Sequence, residues 1–211
     1  MAEEGSLSER AYIRIRDRII SLELQPGAPI DEDKLMRDLK VGRTPVREAI
    51  KRLELESLVD IYPRRGTFVS EVQITDLAAI SEIRVQLEGF AAALAAERFR
   101  PEDEQAFSAL ISKIQGATAS SGPRLMALDA NAHRLIYSTA RNAYLRDTLE
   151  RYFNLSYRIW HLAMPRLPDV TANIAQHHEL LNAIRQHDAR RAKKVASDHV
   201  EAFERMMRRI L

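Results

Sequence analysis

The residues best suited to chemistry are one aspartate and a set of histidines in a chain of 211 residues that has no cysteine. Asp129 and His133 are four apart within 123–140, a stretch whose apolar pattern predicts a helix, so both side chains share a face. The last two predicted helices form an antiparallel hairpin turning near Asp188. His177 lies 11 residues before that turn and His199 lies 11 after it. At about 1.5 Å per residue, both sit roughly 16 Å from the turn and level with each other. One carboxylate and three imidazoles from three helices suit a divalent transition metal such as zinc, nickel or manganese. Four protein ligands leave positions on a five- or six-coordinate ion for water or an acidic ligand. His178 points about 100° away from His177 on the same helix, so only one of the two can be a ligand. Symmetry about the turn prefers His177. His161 and His187 have no such partners and read as surface or interface histidines.

The second chemical feature is a cluster of positive charge. The whole chain is only +2, with 32 basic against 30 acidic residues, which neither supports nor excludes a nucleic-acid partner. Residues 1–72 are net −1, yet 40–52 hold Lys40, Arg43, Arg47, Lys51 and Arg52 against Glu48 alone. Arg64 and Arg65 add two charges at a predicted hairpin tip. Arg43 and Arg47, four apart, face one way at the start of a predicted helix. Arginine can grip guanine O6 and N7 with two hydrogen bonds, or pair with phosphate. Thr44 and the free N–H groups of a first helical turn suit a phosphate, and Gly66 lets backbone approach a groove closely. Taken singly, each arginine could equally be a solvated charge on an ordinary helix.

The elements that position these groups fall in two blocks. Residues 7–23 predict a helix with Ile13, Ile19, Ile20, Leu22 and Leu24 among its basic residues. Residues 25–29, Gln-Pro-Gly-Ala-Pro, break it. Asp31 starts a short helix with Leu35, Met36 and Leu39 apolar. Thr44 followed by Pro45 reads as an N-cap with proline at the first helical position, opening a third helix to about Glu56 with Val46, Ala49, Ile50 and Leu53 inward. Two alternating stretches, 58–62 and 67–71, flank a turn at 63–66. From Ile74 the pattern is almost wholly helical, near 75–98 (capped by Thr75), 101–120, 123–140, 142–162, 169–186 and 188–210. The expected fold is mainly α, with an N-terminal winged helix-turn-helix domain, 1–72, and a C-terminal all-α antiparallel helical bundle, 73–211.

The ordered run Gln25-Pro26-Gly27, Leu35, Val41 to Ile50 (Val-Gly-Arg-Thr-Pro-Val-Arg-Glu-Ala-Ile), Leu53, Leu58-Val59 and Arg65 to Val69 resembles the GntR family of bacterial transcriptional regulators. It spans nearly all of 7–71. The resemblance implies DNA contacts by Arg43, Thr44, Arg47 and Gly66, with Arg65 beside them on the wing. Gly42 stands where that family usually has Ser or Thr, and Ser57 where a helix-ending glycine is usual. Ile83-Arg84, Leu87-Glu88, Ala95 to Glu97, Asp129 to His133, Asn142, His177, Leu180-Leu181, Ala183-Ile184, Asp188 and His199 resemble the FCD effector domain of the FadR subfamily. That implies Asp129, His133, His177 and His199 as metal ligands, and a small organic acid effector beside the metal. Arg84 is the candidate counter-charge, an interhelix salt bridge with Glu or Asp being the alternative. Arg158 and Tyr137 are lesser pocket candidates. Trp160, Phe90, Phe99 and Phe107 read as packing residues, and Ala132 replaces a usually bulkier residue.

Composition removes other classes. Without cysteine there is no thiolate metal site, iron–sulfur cluster, disulfide or thiol nucleophile. The longest nearly apolar run, 89–96, is far below the roughly 18 residues of a membrane span, and the acidic start carries no signal-peptide pattern. A cytoplasmic protein without membrane association is expected. A metal hydrolase is the competing reading of the Asp/His set, but no general base, nucleophile motif or phosphate-binding glycine loop accompanies it. A polar structural network without metal is a third. The expected protein is not an enzyme. It is a homodimeric regulator, and a repressor, that reads double-stranded operator DNA through inverted half-sites.

Overall fold

In the computed structural model, which describes residues 5–117, 122–166 and 171–210, nine α-helices and one hairpin are assigned among the described residues. The chain divides into two units, Met1–Ile74 with Tyr157–Leu162, and Thr75–Ser156 with Ala163–Leu211.

The first unit opens with α1, Leu7–Ile20, capped by the Ser6 side chain, which accepts from the Glu9 N–H. Ala11, Tyr12, Ile15 and Ile19 form its buried stripe, and Ile13 is exposed. The helix stops three residues earlier than its apolar pattern suggests because Leu22 takes a left-handed conformation, φ 61°. Residues 27–29 of the expected breaker at 25–29 lie, with Ile30, along the hairpin instead. Gly27 N–H donates to Val69 O at 2.9 Å, Ile30 N–H to Thr67 O at 2.8 Å, and Val69 N–H to Ala28 O at 2.9 Å. Gly27 sits at φ 72°, and a Cβ there would lie 2.3 Å from a Glu71 carboxylate oxygen.

Helix α2 spans Glu32–Leu39, with the Asp31 carboxylate accepting from the Lys34 N–H at 2.9 Å. Lys40 ends it in the left-handed region, φ 54°. Helix α3, Arg43–Leu55, buries Val46, Ala49, Ile50 and Leu53, the four positions its periodicity predicts. Its N-cap is Gly42 and not Thr44. Pro45 is still harmless, because N–H groups of a first turn have no intrahelical acceptor. Ser57, φ 63°, closes α3: Leu58 N–H reaches Leu53 O and Ser57 N–H reaches Glu54 O, both at 3.0 Å. Strands β1, Val59–Tyr62, and β2, Gly66–Val69, pair antiparallel with Val59 opposite Val69 and Tyr62 opposite Gly66. Arg65 N–H closes their turn onto Tyr62 O, with Arg64 at φ 65° and Gly66 at φ 109°.

Lys40 is exposed and its left-handed backbone costs an L-residue about 1–2 kcal/mol, part of which glycine returns as chain entropy. Lys40→Gly is therefore expected to stabilise the first unit by about 1 kcal/mol. Chemical denaturation followed by circular dichroism checks this, and an unchanged midpoint counts against it.

The second unit is helical: α4 Asp76–Arg98, α5 Glu104–Gln115, α6 Gly122–Thr139, α7 Ala143–Ala163, α8 Thr171–Arg185 and α9 Ala189–Arg208. Thr75 precedes α4 but makes no side-chain cap bond. A short 3-10 turn, Pro101–Asp103, leads into α5, which ends at Gly116; positions 118–120 of the expected longer helix lie outside the described residues. Helices α4 and α9 pack closely at Gly89, where a Cβ would lie 2.6 Å from Ser197 Oγ; that hydroxyl donates to Val85 O at 2.9 Å. The α8–α9 hairpin turns where expected: His187 is left-handed at φ 56°, and the Asp188 side chain accepts from the Arg191 N–H at 3.0 Å. Phe107 and Trp160 are buried, whereas Phe90 is 49% exposed and is not a core residue.

Candidate functional site

Helix α6 turns Asp129 and His133 inward on one face, α8 turns His177 inward, and α9 does the same with His199. All four side chains are buried, and one ligand atom from each lies within 4.8 Å of every other. His177 Nε2 is 2.8 Å from Asp129 Oδ1, His199 Nε2 is 3.6 Å from the same oxygen, and His133 Nε2 is 3.7 Å from Oδ2. Donors about 2.0–2.2 Å from a single ion can be up to about 4.4 Å apart, so the set needs only a few tenths of an ångström of contraction to hold one. His178 does not join: its Nε2 lies 3.0 Å from Gln115 Nε2 and 3.2 Å from Asn182 Nδ2.

The chemistry of the donors also fits a metal. His133 Nδ1 lies 3.0 Å from Glu88 Oε2, and His199 Nδ1 lies 3.1 Å from Gln176 Oε1. Both partners are acceptors, so a metal-bound ring would keep its proton on Nδ1 and turn the Nε2 lone pair to the ion. His177 Nδ1 is buried and finds no acceptor among the described residues. Glu88 is itself tightly held. Arg84 Nη2 and Nε donate to its Oε1 at 2.7 and 3.1 Å, and Tyr137 OH donates to the same oxygen at 2.6 Å. Arg84 Nη1 donates to Ser156 Oγ at 2.7 Å. Arg84 is thus 4% exposed and ion-paired, and Tyr137 stands behind His133. Arg158, in the first unit, donates to Ser70 O at 2.7 Å and takes no part in the cluster.

Sequence reasoning missed Glu88 and Gln176 as site residues. The four-residue spacing of Arg84 and Glu88 was a usable signal for the first; Gln176 had none beyond its place beside His177.

Burial pushes His199 down to about 4, with His177 adding to the effect, and burial lowers His177 as well. Burial would raise the Asp129 carboxyl, but His133 and the hydrogen bonds from His177 and His199 outweigh it and hold it well below the usual range. Glu88 is also lowered: His133 and Arg84 overcome its burial. At neutral pH His177 and His199 are therefore neutral beside the Asp129 carboxylate. A buried histidine with a lowered pKa takes up protons in the unfolded chain first. Its stabilising effect is complete above pH 6.5 and fades as pH falls towards 4. In chelator, the thermal midpoint of the second unit is expected to be flat above pH 7 and to fall steadily below 6.5. A midpoint that stays level down to pH 5 would contradict the buried, neutral imidazoles.

In the first unit, Arg43 and Arg47 sit in the first turns of α3 with side chains 60% exposed. Thr44, Arg65 and Gly66 are exposed too. Arg43 Nη2 lies 3.1 Å from Asp33 Oδ1, and Arg47 Nε lies 3.0 Å from Glu32 Oε2.

Residues 7–69 match the family model described as bacterial regulatory proteins, gntR family, and residues 79–202 match the FCD domain. An uncharacterized HTH-type transcriptional regulator in an unstable DNA locus of Streptomyces ambofaciens is 28% identical over 207 residues, covering 96% of this chain and 86% of that protein. The HTH-type transcriptional repressor RspR of Escherichia coli K12 is 24% identical over 207 residues, covering 97% and 90%. Among solved structures, E. coli McbR/YncC superposes with a TM-score of 0.85 at 23% identity over 97% of this chain and 98% of that one. A GntR regulator from Rhodococcus sp. RHA1 gives 0.75 at 20% identity over 98% and 100%. At these identities the structures show a shared fold.

Proposed function

We propose a mechanism from one premise: the chain belongs to the gntR family of bacterial regulatory proteins and carries an FCD domain, so it is a transcriptional regulator and not an enzyme. In this reading residues 1–72 form the DNA-binding domain and 73–211 the sensor. Arg43, Thr44, Arg47, Arg65 and Gly66 meet a double-stranded operator. A cytoplasmic homodimer reads two inverted half-sites and represses. Asp129, His133, His177 and His199 hold zinc, nickel or manganese, and a small organic acid binds beside the ion and changes operator affinity.

The observation that carries the sensor reading is the convergence of three Nε2 atoms on Asp129, two of them with Nδ1 held by an acceptor. Metal-ligating histidines characteristically donate their other ring N–H to such an acceptor. A bound ion would supply positive charge and free coordination positions to a carboxylate. Arg84 is the proposed counter-charge. It spends three of its five N–H donors on Glu88 and Ser156, so an acid reaching it would use the remaining two or exchange a partner. The ligand shifts the regulator only by favouring one arrangement of the DNA-binding domains over another.

Thermal shift with a panel of small organic acids, each with and without zinc, nickel or manganese, tests this. An acid whose stabilisation requires the metal supports it. Purified protein that contains no metal and responds to no metal would sink the sensor mechanism.

A further inference from the structure

The two arginines that face DNA in the proposed function are both engaged by acids of α2, and the way they are engaged is specific. Asp31, Glu32 and Asp33 put three carboxylates at the start of α2. A helix N-terminus at a DNA-facing surface is a ready phosphate site, with free N–H groups and a positive dipole end. Here the Asp31 side chain takes the Lys34 N–H, and the next two carboxylates project to α3. These ion pairs are exposed, so they contribute little to folding.

Their geometry bears on recognition. Glu32 takes Arg47 through Nε, which leaves the terminal Nη1/Nη2 end of the guanidinium free. That end carries the two parallel donors needed for guanine O6 and N7. Asp33 takes Arg43 through one Nη and leaves its other donors available. Each arginine thus already has a local negative partner, which a phosphate would otherwise supply.

We infer that Glu32 and Asp33 are specificity-determining positioning residues: they hold Arg47 and Arg43 for base edges and withhold their charge from the phosphate backbone. The inference rests on the DNA-reading function proposed above. Its consequence is a division between two kinds of binding. Removing the carboxylates frees the arginines for any phosphate, so non-specific affinity rises and each freed arginine steepens the log–log salt slope by about 0.9. Specific affinity gains nothing from this, because the rotamer suited to guanine is no longer held.

The test uses the full-length protein. The wild type first selects its best duplex from a random 20-base-pair library. That duplex and a shuffled one of the same composition are then titrated across salt concentrations with wild type, E32Q, E32Q/D33N and E32A. E54Q, which removes one carboxylate at the far end of α3, is the charge control for E32Q. The expected result is at least a tenfold fall in the specific-to-shuffled affinity ratio for E32Q/D33N, with a steeper slope on the shuffled duplex. E32A should select duplexes with a relaxed guanine preference. If both duplexes gain affinity equally, the acids are simple competitors and the inference falls. It falls equally if E54Q matches E32Q, or if ratio and slope do not change. If the wild type enriches no duplex at all, the DNA-reading function itself is wrong and takes the inference with it.

Discussion

His177→Ala is expected to cost the protein its metal, with affinity lower by about 100-fold or more, whereas His178→Ala should leave metal content unchanged. The two histidines are adjacent, so the pair is a sharp test of geometry. His177 is fully buried with Nε2 at 2.8 Å from Asp129, while His178 lies beside Gln115 and Asn182. Truncating His177 removes one of four donors and also strips Asp129 of its closest partner. Leaving a buried carboxylate under-paired is itself costly, on the order of 3–5 kcal/mol in the worst cases. His177→Ala can therefore lose metal through unfolding alone, and Gln176→Leu separates the causes. It removes only the acceptor of His199 Nδ1 and leaves every buried ion pair in place, so affinity should fall about 10-fold with the fold retained. Elemental analysis and metal-dependent thermal shift read all three variants. Equal metal loss from His177→Ala and His178→Ala would overturn the ligand assignment.

That His177, and not His178, comes beside Asp129 and His199 was legible in the sequence for a simple cause. Helix rise is constant, so two residues equidistant from a tight turn in an antiparallel hairpin come level, and only the position of the turn had to be read. Asp188 marked it, and it caps α9. The same regularity made most helix limits legible. What failed was local backbone chemistry carried by unusual residues. Leu22 and Lys40 take left-handed conformations that glycine normally signals. Residues 27–30 contain Pro29 and follow Pro26, and prolines read as breakers, yet proline is tolerated on a sheet edge where its missing N–H is not needed. The expected N-cap at Thr44 followed from its neighbour Pro45, but proline is equally tolerated elsewhere in the first turn, and Gly42 took the cap. Glu88 was hidden for a different reason. A buried acid on an Ala-rich helix is identified by its partners, and Tyr137, His133 and Ser156 of the network come from other helices.

Arg47→Ala is expected to abolish sequence-specific DNA binding while metal content stays at the wild-type level. A bidentate arginine–guanine contact discriminates by about 1–3 kcal/mol, roughly 5- to 150-fold at each half-site. In a dimer reading two half-sites the free energies add, so the loss on a selected duplex reaches several hundred-fold in the middle of that range. Binding to a shuffled duplex should change far less, because Arg47 has Glu32 as its local counter-charge at 3.0 Å. Arg65→Ala makes the contrast. It is exposed on the hairpin with no base-reading geometry imposed on it, so its loss should weaken both duplexes alike and reduce the salt slope by about 1 per protomer. Metal content is unaffected in either case, since no ligand of the Asp129 cluster lies in the first unit. Gel shift at several salt concentrations, with elemental analysis of the same samples, reads all of this. Equal weakening of selected and shuffled duplexes by Arg47→Ala would reduce Arg47 to a phosphate contact and move base reading elsewhere on α3.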